Sequence, residues 1–188
     1  MSSRTISMRI LPALIFTSCF LISLPAISRA QTNPGLTFTW GNGPSGKQQL
    51  NYLLDYGTPG FPGDRYRLKL GSQKVAISGV TISYPDYYTG TFDPKAIEIR
   101  VGAVSKFFGN KLGKSFPLSK VDIDQENHLI QLVPKEVIPA GTPVEVVLSN
   151  VKNPDSGGMY YFNCRIASPG DVPLMRYIGT WILSIDRP

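Results

Sequence analysis

The chain has few of the side chains that carry covalent, redox or proton-transfer chemistry. Its 188 residues include two cysteines and one histidine. Cys19 lies in an apolar N-terminal run, so Cys164 has no intrachain partner and no disulfide can staple the fold. An unpaired thiol in such a chain is expected in the core. His128 is the single imidazole, so a nucleophile–base pair built on histidine would have to use it. Helical periodicity is missing too. Only Val104 to Leu112 approaches a 3.6-residue period, and Gly109 interrupts it. No internal repeat or low-complexity tract is present.

Residues 1–30 have a secretory signal: Arg4 and Arg9 at the head, an uncharged apolar run from Ile10 to Ile27 broken near its end by Pro25, and small residues in Ser28-Arg29-Ala30 before Gln31. Phe20-Leu21-Ile22 continue the apolar run after Cys19, which argues against a lipoprotein cysteine. Removal of residues 1–30 takes three basic residues (Arg4, Arg9, Arg29) and no acidic one, lowering the formal charge from +6 to +3. The exported chain is thus much less basic than its precursor, and nucleic acid is excluded as an expected partner. The remaining length suits one domain with a sizeable core.

Residues 31–64 read as an irregular arm rich in glycine and proline. It contains a short alternation at Leu36–Trp40, a possible strand over Gln49–Tyr56, and two breakers, Gly41–Gly46 and Gly57–Asp64. From Arg65 onward the period is two: Tyr66, Leu68 and Leu70 alternate with Arg65, Arg67 and Lys69. Further strands are expected at 75–84, 96–101, 118–123, 129–133, 143–148, 160–166 and 177–185, with Asp124–Asn127 as a hairpin turn. Many short strands without intervening helices predict an all-β fold over 65–188, an antiparallel β-sandwich of immunoglobulin-like type.

Three local motifs look chemical and fail on their details. Asp155-Ser156-Gly157-Gly158 matches the setting of a serine-protease nucleophile, but Asn153-Pro154-Asp155-Ser156-Gly157-Gly158, with its Pro, Asp and Gly, suits a turn before the strand at Met159. Phe108–Ser115 approaches a phosphate-binding loop, yet Phe108 stands where glycine is needed and no helix follows. Asp122, Asp124 and Glu126 alternate like the first half of a calcium loop, but Asn127 replaces the required glycine and no twelfth-position glutamate follows. No cofactor, metal or catalytic residue is therefore expected.

Charge is distributed more informatively. Lys95, Arg100, Lys106, Lys111, Lys114 and Lys120 face only Glu98 within 95–120, whereas 121–158 is acidic. Lys106, Phe107, Phe108, Lys111, Lys114 and Phe116 set aromatics beside cations, and we take them as a candidate interaction patch for an anionic surface: lipid headgroups, acidic polysaccharide or an acidic protein. Tyr84, Tyr87, Tyr88, Tyr160 and Tyr161 could instead stack on sugars. In a strand, however, Tyr160 and Phe162 share one face and Tyr161 takes the other, which favours core packing for some of them.

Val137–Val144, Val151-Lys152-Asn153-Pro154, Gly158–Phe162 and Tyr177–Leu183, with Ile82–Asp86 and Phe92-Asp93-Pro94 before them, resemble DUF2808, a family of exported cyanobacterial proteins of unknown function. The resemblance covers roughly residues 66–185. It implies an exported cyanobacterial setting and a β-rich fold, and brings no catalytic residues. The expectation is a non-enzymatic binding or structural domain of the periplasm, cell envelope or thylakoid lumen. Its partner would be an unidentified protein or an anionic envelope component, with peripheral membrane contact. A carbohydrate- or envelope-polymer-binding module and a small extracytoplasmic hydrolase are the alternatives.

Overall fold

The structure, a computed structural model, describes residues 48–102, 113–170 and 174–186. The expected signal at residues 1–30, the Leu36–Trp40 alternation, the helix-like period over Val104–Leu112, and Lys106, Phe107, Phe108 and Lys111 of the candidate patch lie outside the described residues.

Among the described residues, ten strands form two sheets. They are β1 (Tyr52–Leu54), β2 (Asp64–Ser72), β3 (Gly79–Ser83), β4 (Ile97–Val101), β5 (Ser115–Phe116), β6 (Leu118–Asp124), β7 (Leu129–Pro134), β8 (Pro143–Val151), β9 (Gly158–Ala167) and β10 (Met175–Ile185). Sheet 1 runs β1-β2-β8-β4-β5 and sheet 2 runs β10-β9-β3-β7-β6, with every strand pair antiparallel. The β1-β2-β8-β4 and β10-β9-β3 neighbourhoods follow the two-sheet order of immunoglobulin domains. The departures from that order all fall between β4 and β8 in the chain: β5 adds an edge to sheet 1, and β6 and β7 join sheet 2.

The period-two pattern decides which side chains meet between the sheets. Tyr66, Leu68 and Leu70 of β2, Val144, Val146 and Leu148 of β8, and Ile97 and Ile99 of β4 are buried on one side. Opposite them are Ile130, Ile82, Phe162, Cys164, Ile166, Trp181, Leu183 and Ile185. Fully burying a side chain of this size contributes roughly 1.5–3 kcal/mol, so a core of this extent can hold the fold without a disulfide. Trp181 spans both layers, with its Nε1 donating to the Lys69 carbonyl oxygen at 3.1 Å. At one end of the sandwich, Tyr84, Tyr88, Phe92, Tyr160 and Phe162 pack as a ring cluster, mostly edge-to-face.

Residues 48–64, read from sequence as an irregular arm, are built into the sandwich. Leu50 N donates to Thr180 O and Thr180 N donates to Gln48 O, so the chain runs parallel beside β10. It then crosses to sheet 1, where β1 pairs Tyr52 with Leu68 and Leu54 with Tyr66. One short segment thereby binds the edges of both sheets. Its pattern is too short and too interrupted by turns to announce this role.

Candidate functional site

Asp64 is buried at the start of β2, and its carboxylate is fully occupied. Oδ1 accepts from the Tyr56 and Arg65 amides at 3.1 and 2.7 Å, and Oδ2 accepts from the Gly57 amide and Asn153 Nδ2, each at 2.8 Å. Gly57 reaches this position with φ +66, where a Cβ would be strained. Asn153 Oδ1 in turn accepts from the Tyr66 hydroxyl at 2.6 Å, and Tyr66 and Tyr88 share a hydrogen bond at 3.0 Å. Burial pushes both phenols well above the usual tyrosine range. This network is a closed structural lock, since each of its polar atoms already has a protein partner.

His128 occupies the left-handed position of the β6–β7 hairpin, φ 54. Its carbonyl accepts from the Tyr84 amide, and its ring packs edge-on against Tyr84 at 5.4 Å. Asp124 accepts from the Asn127 amide and Nδ2, at 2.9 and 2.7 Å. These bonds from Asn127, with a weaker one from the Glu126 amide, favour the charged form and hold its carboxyl below the usual range. The calcium-like spacing is thus a side-chain-capped turn. Ser156 sits in the β8–β9 turn, and its carbonyl accepts from the Tyr160 hydroxyl at 2.7 Å. Cys164 is buried, and desolvation drives its thiol well above the usual range, so it is a poor nucleophile. Among the described residues, no group of three or more His, Cys, Asp or Glu could hold a metal ion.

An open groove of about 500 Å3 runs along the β1 edge, lined by Tyr52, Leu54, Tyr56, Thr58, Ser184 and Asp186 among others. Asp186 is the one carboxylate of that lining and accepts from the Ser184 hydroxyl at 2.6 Å. Glycoside hydrolysis needs two carboxylates facing the same bond, and this groove does not present them.

The two ends of the sandwich differ sharply in character. Pairing of Ser72 with Pro143, of Val101 with Val144, and of Ala167 with both Met175 and Gly79 puts the β2–β3, β4–β5, β7–β8 and β9–β10 connections at one end. Among the described residues, the exposed cations Lys74, Lys114, Lys135, Arg165 and Arg176 lie on or near these connections, with Glu136 as the one exposed anion; Asp171, in the β9–β10 connection, lies outside the described residues. None of the five cations forms an ion pair among the described residues. Four large hydrophobic side chains are water-facing at this end: Leu174 (71% exposed), Met175 (51%), Val137 (47%) and Tyr177 (40%). At the opposite end, among the described residues, Asp55, Asp86, Asp93, Asp124, Glu126, Asp155 and Asp186 outnumber Arg65, Lys95 and Lys152.

The sequence-level patch is divided by this geometry. Lys114 is exposed at the basic end, whereas Phe116 pairs with Ile99 in β5 and packs against the core. The basic character of 95–120 was visible in sequence, but Lys74, Lys135, Arg165 and Arg176 lie outside that block and reach the same end through strand pairing. Leu174 and Met175 could have been suspected from their position, apolar residues at the exit of a Pro-Gly turn rather than within an alternating run.

Together, the fold and surface define a two-sheet β-sandwich with a polarised charge distribution and a buried Asp64–Asn153–Tyr66–Tyr88 network committed to structure. The chain belongs to the family described as "Protein of unknown function (DUF2808)", whose model matches residues 37–185. That span starts well before residue 66, in keeping with the built-in role of Gln48–Leu54. No curated protein matches the chain. Among solved structures, it is similar to one described as the complete manganese lipoxygenase of Gaeumannomyces graminis with part of the zonadhesin of Komagataella pastoris, at 12% identity and TM-score 0.42, covering 73% of this chain and 48% of that one. It is also similar to the collagen-binding domain of a Staphylococcus aureus adhesin, at 11% identity and TM-score 0.36, covering 70% of this chain and 93% of that one. This chain therefore spans about half the length of the first of these structures.

Proposed function

We propose that the protein is an exported cyanobacterial domain of the cell envelope, periplasm or thylakoid lumen that acts by binding rather than by catalysis. The observation that carries this reading is where its reactive groups are used. Asp64, Asn153, Tyr66 and Tyr88 saturate one another, Cys164 is sealed in the core, and His128 is a turn residue. The surface, by contrast, offers unpaired cations beside exposed apolar side chains. The signal-like residues 1–30 support export. Crosslinking of a tagged full-length chain in intact cells, followed by mass spectrometry, tests the reading. It should recover envelope or lumen partners together with a chain beginning near Gln31. Recovery of a full-length chain with cytoplasmic partners would overturn it.

A second reading, a carbohydrate-binding module, is favoured by one observation. Tyr87 is exposed and its ring is backed by the buried Tyr160 ring, with centroids 5.6 Å apart, which fixes one aromatic ring at the surface for stacking. Binding of the purified protein to peptidoglycan or on a glycan array, lost in Tyr87→Ala, would establish it.

A further inference from the structure

We propose that the basic end of the sandwich docks onto an anionic lipid bilayer. Leu174 and Met175 enter the headgroup layer there, while Lys74, Lys135, Arg165 and Arg176 meet lipid phosphates around them. The proposal rests on the reading of the protein as an exported binding domain, and it names the partner.

Three observations converge. The first is the position of the exposed apolar groups. Leu174 immediately precedes β10, and Met175 opens it, paired with Ala167; Ala167 also pairs with Gly79, and Ile77 pairs with Ile138, beside Val137. The apolar side chains thus lie along neighbouring strand ends instead of being scattered over the surface. Solvent-facing apolar groups gathered in this way mark an interaction surface. The second is their surroundings. Tyr177 pairs with Arg165 on the outward face of sheet 2, and Arg176 lies between Met175 and Tyr177. An apolar tip, an amphipathic ring and flanking cations are the ingredients of interfacial binding, each matched to a different depth of a bilayer surface. The third is the acidic opposite end, which gives the molecule an electrostatic direction. An anionic surface attracts one end and repels the other, so encounters are oriented before contact.

Charge alone would equally suit an acidic polysaccharide. The favoured occupant is a bilayer because a polysaccharide chain gives cations and tyrosines something to bind but offers no apolar layer for Leu174 and Met175.

Co-sedimentation of the full chain, purified from the fraction in which it resides in cells, tests the proposal. The vesicles would be phosphatidylcholine alone or phosphatidylcholine with one third phosphatidylglycerol, at low and high salt. Wild type should bind the phosphatidylglycerol vesicles and lose most, but not all, of that binding in high salt. Arg165→Gln/Arg176→Gln should bind on the order of tenfold more weakly, and Leu174→Ser/Met175→Ser should also lose affinity, including the part that survives salt. Asp86→Asn/Glu126→Gln, at the far end, should bind at least as well as wild type. Each variant should keep the wild-type thermal midpoint, which separates surface effects from misfolding. Three results would each overturn the proposal: no binding by wild type at low salt, equal binding by wild type and both docking-end variants, or failure on vesicles combined with salt-sensitive binding to alginate. An exported chain that crosslinks to envelope proteins yet ignores vesicles would sink the bilayer proposal and leave the binding-domain reading standing. A cytoplasmic chain would sink the latter.

Discussion

Asn153 and Asp64, 89 residues apart in sequence, are joined by a buried hydrogen bond of 2.8 Å from Nδ2 to Oδ2. The same amide also donates to the Thr58 carbonyl at 2.8 Å, and its oxygen receives the Tyr66 hydroxyl. One side chain in the β8–β9 connection therefore ties down the β1–β2 loop, the start of β2 and the aromatic cluster. The contact closes one end of the sandwich as a disulfide would in a cysteine-rich fold.

Asn153→Leu should therefore be far more costly than a turn substitution. It leaves a buried carboxylate oxygen, a backbone carbonyl and a phenol each short of a partner. Buried groups stripped of partners cost about 1–3 kcal/mol each, and partial repair by water brings the expected loss to about 3 kcal/mol. Denaturant unfolding of the variant and wild type measures it; a change below about 1 kcal/mol would show that the network is not a lock.

Tyr66 and Tyr88 give the protein an alkaline limit. Burial is the largest cause of their raised values, so in the folded state both keep their protons above the ordinary tyrosine value of 10.0. The unfolded chain releases those protons first. It then binds fewer protons than the folded chain, and stability falls as pH rises past that ordinary value, while the full contribution remains below it. Thermal midpoints across about pH 8–11 should fall steeply at the top of the range. Tyr88→Phe keeps the ring but removes one of these protons, so its alkaline loss should be shallower. An equally steep loss in that variant would place the alkaline sensitivity elsewhere.

What the sequence revealed and what it concealed have a common physical origin. Alternation is local, so the Tyr66-Leu68-Leu70 pattern identified a core-facing strand directly, and Tyr160 and Phe162 are buried as period two required. Asn153 read as part of a turn, because the partners that give it meaning lie 89 and 87 residues away. Arg67 is the instructive exception. Its alternation with Leu68 predicts a wet face, yet it is buried beside Glu145. The basic end was half legible for the same reason. A contiguous block of lysines can be seen in sequence, whereas Arg165 and Arg176 join it only once β9 and β10 pair.

Gly179 should tolerate no side chain. A Cβ there would run into the Gln48 carbonyl oxygen and lie 2.9 Å from Leu50 Cγ, so the strand-like passage of Gln48–Leu50 beside β10 depends on a bare backbone. Gly179→Ala should displace this segment from sheet 2 while β1 still holds sheet 1. Limited proteolysis should then cut near residues 48–51 much faster than in wild type, with a stability loss of about 2 kcal/mol from the broken bonds and steric strain. Unchanged cleavage would mean that the segment is held by β1 alone.

Arg67 and Glu145 allow a test of whether a buried ion pair stabilises this fold or merely compensates itself. Their nearest charged atoms are 3.7 Å apart, with side chains 5% and 0% exposed, and Arg67 Nε and both Glu145 carboxylate oxygens have no hydrogen-bond partner among the described residues. Attraction at that distance, without hydrogen bonds to satisfy the remaining atoms, offsets only part of the cost of taking two charges out of water. Arg67→Met or Glu145→Leu alone should each cost about 3–5 kcal/mol, because each strands the other charge. The double variant removes both charges and should lie within about 1 kcal/mol of wild type, or above it. A double-mutant cycle measured by chemical denaturation gives the coupling directly. Additive losses in the double variant would show instead that both side chains have stabilising contacts of their own, independent of their charge pair.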